Sequence, residues 1–277
     1  MKEFDYDAYF NLVGNLDGYV VDVASDMFSF LMYCREKHLH FDMNCLVDSL
    51  VNHVGNNGTV LIRAFNWSFC KGIPFDIRTT PSKVGILGNT VLKNNKFRRT
   101  RHPLYSWFVF GKLKDLLTEI DEISAFGQES IFGFLYKTRA KMLTLGNISE
   151  RISVFSNFHY AEQMAQVPYR YHKYFDGYYT NYNGYKTLSR YTMFVRRLDI
   201  PNHYNVSFFE SNFCEQGIGR SYLFDNCLKI GLTDISSGVD ILLDDLENNF
   251  GIKSVLVNGK PGFKGLSRPV TKYENEV

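Results

Sequence analysis

Residues Tyr19–Asp26 read Y-V-V-D-V-A-S-D, an apolar run of strand length followed by Ser-Asp, a pair that opens helices. The helix predicted after Ser25-Asp26 extends toward Lys37. A strand feeding directly into a helix start gathers unpaired backbone N–H groups where an anion can bind. No Gly-rich loop accompanies this step, so it speaks to fold more than to ligand. Asp42 caps a second helix, in which Leu46, Leu50 and Val54 recur at helical spacing. N-N-G-T at Asn56–Thr59 then turns the chain into a second strand, Val60–Phe65. The order β-α-α-β predicts an α/β protein whose helices cover a sheet.

Further along, Asn66–Lys83 is a long polar and aromatic loop with Pro74 and Pro81. Val84–Asn94 reads as helix and W-F-V-F-G, Trp107–Gly111, as a short strand. Helix is expected over Ser130–Lys137 and strand over Lys141–Leu145. The tyrosine-laden stretch after Pro168 carries turn signals at Asp176-Gly177 and Asn183-Gly184, and Tyr191–Leu198 reads as a strand. Helices are expected at His203–Glu215, Tyr222–Ile230 and Ser237–Asn248, and a last strand at Ser254–Val257. A single catalytic domain over 1–277 is expected, with a loosely held tail from about residue 260.

The chain has 277 residues, 45% hydrophobic and 16% aromatic, enough for one large core. A net charge of +2 argues against a nucleic-acid binder, whose basic footprint is stronger. No apolar run approaches the roughly 20 residues that cross a bilayer, and M-K-E-F-D-Y-D lacks a secretory core, so a cytoplasmic location and no membrane partner are expected. Five scattered cysteines form no C-x-x-C pair and seven histidines show no metal spacing. Neither a disulfide framework nor a metal site is expected.

Two stretches carry candidate chemistry. In S-N-F-H-Y-A-E-Q, Ser156–Gln163, either Ser156 or Asn157 can cap a helix. His159 falls in its first turn, with Glu162 one turn later on the same face. A first-turn imidazole faces the positive end of the helix dipole, which favours its neutral form and suits a general base. An ordinary polar residue at a helix start is the competing reading. R-R-T-R-H-P-L-Y-S, Arg98–Ser106, is either a solvated cluster or an anion site locked by Pro103.

Taken in order, several stretches resemble the antibiotic N-acetyltransferase family, best known for aminoglycoside 3-N-acetyltransferases. They are the strand before Ser25-Asp26, T-V-L-I-R-A-F-N-W-S-F (Thr59–Phe69), F-D-I-R-T-T-P-S-K-V-G (Phe75–Gly85), R-x-R-H-P-L-Y-S, S-I-F-G-F-L, L-T-L-G, H-Y-A-E and G-I-G-R-S-Y-L-F (Gly217–Phe224), spanning most of residues 18 to 250. The resemblance implies a three-layer α/β/α sandwich, distinct from the common GNAT amine acetyltransferase fold, and acetyl-CoA as the cofactor. It implies His159 as general base. The acidic partner is expected from F-V-R-R-L-D, where Asp199 fits, with Glu162 in reserve. Cofactor contacts are expected from Ser25, Asp26, Arg101 and His102, with the Ser106 hydroxyl aimed at the acyl oxygen. Cys70 as a covalent nucleophile is the alternative mechanism.

Charge bears on the acceptor. Between Pro168 and Ile200 the acids are Asp176 and Asp199, against Arg170, Lys173, Lys186, Arg190, Arg196 and Arg197. Such a surface repels a polycation and attracts a diphosphate. The expected acceptor is therefore a nucleotide-linked amino sugar, with dTDP-3-amino-3,6-dideoxyhexose the best match, contacted by Asn66, Trp67, Tyr171, Tyr179 and Arg196. An aminoglycoside, a non-catalytic binding role and single-stranded RNA binding are the alternatives. Either a monomer or a homodimer is compatible with the sequence.

Overall fold

The computed structural model describes residues 2–267. Nine strands and nine helices organise it. The strands are β1 Val20–Ser25, β2 Thr59–Arg63, β3 Arg98–Arg99, β4 Trp107–Gly111, β5 Lys141–Leu145, β6 Arg170–Thr180, β7 Lys186–Arg196, β8 Gly219–Phe224 and β9 Leu228–Asp234. The helices are α1 Tyr6–Asn11, α2 Met27–Glu36, α3 Met43–Val54, α4 Ile86–Val91, α5 Lys114–Glu119, α6 Ile131–Lys137, α7 Asn157–Met164, α8 Val206–Glu215 and α9 Ile235–Asn248. Short pieces such as Phe75–Asp76 and Val255–Val257 complete smaller sheets.

Seven strands form the central sheet in the order β8-β9-β5-β1-β2-β4-β3. The middle trio is parallel (β1 beside β5 and β2) and the flanking strands are antiparallel. Because side chains alternate across a strand, β2 sends Val60 and Ile62 to one face and Leu61 to the other. Val60 and Ile62 join Phe10, Phe30, Leu46 and Leu87 from α1–α4. Leu61 joins Phe132, Phe158, Phe209 and Leu242 from α6–α9. Two buried layers on one sheet make the expected α/β/α sandwich.

Asp22, fully buried on β1, points into the second layer. Its carboxylate accepts from Arg63 Nε at 3.0 Å and from Trp107 Nε1 at 2.8 Å. Arg63 Nη1 in turn donates to the Val154 carbonyl at 2.6 Å. This pair ties β1, β2 and β4 to the loop that leads into α7.

Outside the sheet, β6 and β7 form a long antiparallel hairpin registered from Arg170↔Arg196 to Lys186↔Thr180. Asn183-Gly184 turns it as expected, but Asp176-Gly177 makes no turn. Gly177 lies inside β6 because the Phe69 ring packs against it: an added Cβ would come within 2.8 Å of Phe69 Cε2. The expected helix at Tyr222–Ile230 is instead the β8–β9 hairpin. Asp225 and Asn226 both take positive φ there (46° and 58°), a conformation these residues tolerate in turns. The helix expected from His203 starts at Val206, since His203 pairs with Leu256 in a short strand. The expected loose tail is packed as far as Phe263, which is buried against Tyr169, while residues 268–277 lie outside the described residues. No described helix is long and apolar enough to cross a membrane.

Asp22→Ala would strand Arg63 unpaired in the core. The expected loss is about 3–5 kcal/mol in urea unfolding; an unchanged midpoint would show that the pair carries no such weight.

Candidate active site

The α7 segment is amphipathic in an unusual sense: its buried face carries a carboxylate. Glu162 has no exposed side-chain surface, whereas His159, one turn earlier, keeps 23% of its side chain accessible. Ser156 makes no side-chain cap, and Asn157 uses its amide on the Phe132 carbonyl, so no capping box forms. Glu162 is held instead by tertiary partners. His159 Nδ1 lies 2.9 Å from Glu162 Oε2, and Arg170 Nε lies 2.8 Å from the same oxygen. Arg170, at the start of β6, further donates to the Phe194 carbonyl at 3.0 Å and to Tyr204 Oη at 3.1 Å. Tyr204 Oη stands 3.3 Å from His159 Nδ1, and the Phe126 ring packs 5.2 Å from the imidazole.

These contacts set the protonation states. Burial pushes Glu162 up, but Arg170 and then His159 outweigh it and hold the carboxyl below its usual range. Burial, and next the Arg170 charge, push His159 below its ordinary value, against the opposing pull of Glu162. With Glu162 an acceptor, Nδ1 carries the ring proton and Nε2 keeps its lone pair.

His159 borders a cavity of about 280 Å³, with Ser25, Arg63, Trp67, Tyr105 and Ser156 among its walls. Of the expected site residues, the structure brings Ser25 and Trp67 to the same cavity as His159. Asp26 sits beside Ser25 but is spent on capping α2, accepting from Phe28 N at 3.1 Å. Asn66 is buried and caps the Trp67–Lys71 turn. Tyr171 follows Arg170 on β6 and is half-buried opposite Val195. Arg196 is exposed opposite Arg170, close enough for its charge to oppose protonation of His159.

The remaining expectations fail for identifiable reasons. Asp199 is not the partner of His159: it lies beyond the end of β7, 66% exposed, and is captured by Arg197 at 2.6 Å. Glu162, the reserve candidate, fills that place. Ser106 is fully buried, accepting from Arg99 Nε at 2.9 Å and donating to the Ala64 carbonyl at 3.1 Å. It cannot address an acyl oxygen in the cavity. Arg101 bonds the Thr118 carbonyl and pairs with Glu119 and Asp121. Burial drives His102 down to about 4, and its Nδ1 accepts from Leu104 N and Tyr105 N, so it holds no anion. Arg101 and His102 thus spend their polar atoms on the protein itself and neither lines the cavity beside His159. Tyr179 is stacked on Phe75 at the far end of the hairpin, away from His159. Burial raises the Cys70 thiol to about 11, which disfavours the thiolate a nucleophile needs. Among the described residues no His, Cys, Asp and Glu group could hold a metal ion. Sequence reasoning missed Arg170 and Tyr204 as members of the site, and Arg63 on its wall.

Comparison with known proteins agrees with this architecture. At the level of curated sequences nothing matches significantly. Solved structures do. Aminoglycoside acetyltransferase AAC(3)-Xa superposes with a TM-score of 0.70 at 17% identity, over 88% of this chain and 91% of its own. AAC-IIIb in its binary complex with CoASH gives 0.71 at 18% identity, over 89% and 96%. YokD from Bacillus subtilis gives 0.68 at 17%, over 88% and 92%. The family model described as aminoglycoside 3-N-acetyltransferase matches residues 32–243, which contain α7, the hairpin and most of the central sheet. This chain belongs to the aminoglycoside 3-N-acetyltransferase family.

Proposed function

We propose that this protein transfers an acetyl group from acetyl-CoA to the amino group of a nucleotide-linked amino sugar, with His159 as general base. The observation that carries the reading is the His159–Glu162–Arg170 cluster at the wall of a cavity. The cavity suits the arm of CoA, a chain of amides and methylenes, because its walls include both polar Ser25 and Ser156 and apolar Val84 and Leu87. AAC-IIIb is known with CoASH in a similar fold. Acetyl-CoA supplies the acetyl group as a reactive thioester. Everything else in the step falls to the chain.

A sugar amine is mostly protonated at neutral pH and must lose a proton to become a nucleophile. His159 Nε2 is free to take it, a role worth typically 10²–10⁴-fold. Glu162 holds the Nδ1–H tautomer and steadies the positive charge that the ring gains. Arg170 keeps Glu162 ionised, and Tyr204 fixes Arg170 from the other side.

The acceptor follows from charge. Of the two carboxylates on the hairpin side, Asp176 is taken by Arg190 and Asp199 by Arg197. Arg196 has no ion-pair partner among the described residues and stands opposite Arg170. The surplus near His159 is therefore positive, which favours an acceptor bearing a diphosphate. Within this reading the amino sugar is a dTDP-3-amino-3,6-dideoxyhexose and its product serves surface-polysaccharide synthesis. A second reading, an aminoglycoside acceptor, is favoured by the neighbours AAC-VIa bound to sisomicin and AAC(3)-IVa in complex with apramycin.

His159→Ala is expected to keep its fold and its affinity for CoA while kcat falls at least about 10²-fold; undiminished turnover would end the proposal. Because burial and the Arg170 charge lower the folded-state pKa of His159, the base form prevails at pH 7. Activity should fall on acidification with its midpoint on the acid side of the ordinary imidazole value, parallel to the imidazole titration read by NMR. A thiol-release assay with acetyl-CoA against dTDP-, UDP- and GDP-linked amino sugars and one aminoglycoside separates the two acceptors. Nucleotide-linked substrates should win, and Arg196→Glu should raise their KM about tenfold with little change in kcat, a loss near 1.4 kcal/mol of binding. Preference of the native enzyme for the aminoglycoside would reject the charge reading.

A further inference from the structure

The far end of the β6–β7 hairpin carries a second, larger cavity, about 430 Å³ in volume, open between the hairpin, the Arg98–Arg101 stretch and the segment after α5. Arg170, which touches Glu162, and Tyr179, which lines this cavity, are nine residues apart on one strand. At about 3.3 Å per residue that is roughly 30 Å, so the two cavities are separate sites.

Three features describe what it would hold. First, alternation along β7 presents Thr187, Ser189 and Tyr191 to the cavity, joined by Tyr179 from β6 and Asn181 from the turn. Each carries a hydroxyl or amide: Thr187 and Ser189 bond each other at 3.1 Å and keep further capacity, and Asn181 Oδ1 accepts from Asn183 N and Tyr185 N, which leaves its amide nitrogen to donate. Second, the rings of Tyr179 and Tyr191 are more than nine-tenths buried, packed on Phe75, Phe69, His102 and each other. Yet neither hydroxyl has a hydrogen-bond partner among the described residues. Both hydroxyls stay open to solvent rather than sealed in the core, and both belong to residues lining the same cavity. Third, its charges cancel locally. Arg98 pairs with Glu119, and Arg101 with both Glu119 and Asp121. An anion or a polycation gains nothing from such a lining.

We propose that this cavity is a carbohydrate-binding site for a neutral hexose or a short oligosaccharide, separate from the acetyl-transfer site. A pyranose offers a ring of hydroxyls, each both donor and acceptor and none charged. That matches two unpartnered tyrosine hydroxyls, two aliphatic hydroxyls, an amide and the Asp121 carboxylate. The inference stands apart from the identity of the acetyl acceptor, since none of these residues touches His159.

The test is amide chemical-shift mapping of the full chain with glucose, galactose, mannose, rhamnose, N-acetylglucosamine and maltotriose, each to about 50 mM, enough to reveal millimolar affinities. At least one sugar should shift Asn181, Thr187 and Ser189, saturably, and leave the amides around His159 unmoved. The double variant Tyr179→Phe/Tyr191→Phe should lose that response at least tenfold, keep acetyl transfer intact, and melt no lower than the native protein, since no protein hydrogen bond is removed. Silence across the panel, equal shifts in the variant, or shifts centred on His159 would overturn the site. A lower Tm in the variant would also count against it, because it would mean that the hydroxyls are paired within the protein.

Discussion

A carboxylate with no access to water is tolerable only if its charge is answered, and Glu162 is answered twice. Arg170 supplies the opposite charge and His159 supplies a donor. Neither partner lies in the same layer of structure for the same reason. His159 is local, one helical turn away, while Arg170 arrives on β6 and is itself pinned by Tyr204 and the Phe194 carbonyl. The position of the hairpin, the register Arg170↔Arg196 and the packing of α7 are thus mutually fixed by one buried charge. The role proposed for His159 uses an asymmetry: Glu162 has no exposed side-chain surface, whereas the imidazole remains partly accessible.

A comparable device operates below the cavity. Asp22 interrupts an otherwise apolar strand in the middle of the sheet, where a charge is least expected. It is satisfied by Arg63 and Trp107, and Arg63 passes the constraint on to the Val154 carbonyl. Val154 also accepts from Ser156 N, and Ser156 accepts from His159 N. A short chain of bonds therefore runs from the central sheet to the first turn of α7. The imidazole proposed as the base is thereby tied to the rigid sheet, which matches the need for fixed geometry in proton transfer.

How much of this was readable in the chain depends on the range of the interaction. The β1–α2–α3–β2 order was legible because apolar periodicity and the Asp26 and Asp42 caps are local signals. His159 and Glu162 were legible as a pair because three residues on a helix share a face. Arg170 and Tyr204 were not, because they meet His159 from separations of 11 and 45 residues, on other elements. Asp199 looked like the partner because it follows a strand. Its neighbour Arg197, two residues away, captures it first, and no periodicity shows which way a turn residue faces. The Arg98–Ser106 cluster misled for the opposite reason. Three arginines in four positions suggest a wet surface or an anion site, yet Arg99 is buried and bonds the Ala64 and Thr80 carbonyls and Ser106. It lies over the Phe75 and Phe108 rings, where a guanidinium is better accommodated than an ammonium.

Charge accounting along the hairpin links these observations to chemistry. Near its base Asp199 is held by Arg197, so that among the described residues Arg196 has no ion-pair partner and its charge opposes protonation of His159. A second effect follows. Every positive charge that draws an anionic acceptor toward His159 also lowers the basicity of that imidazole, so attraction and proton affinity trade against each other. Glu162 opposes that loss at short range, through a 2.9 Å contact, but burial and Arg170 still leave the imidazole below its ordinary value. At the far end the paired charges of Arg98, Arg101, Glu119 and Asp121 line the same cavity as the Tyr179 and Tyr191 hydroxyls. One hairpin thereby borders two chemically different settings: Arg196 stands without an ion-pair partner among the described residues at the end joined to Glu162, and the end lined by Tyr179 and Tyr191 offers hydroxyls among paired charges.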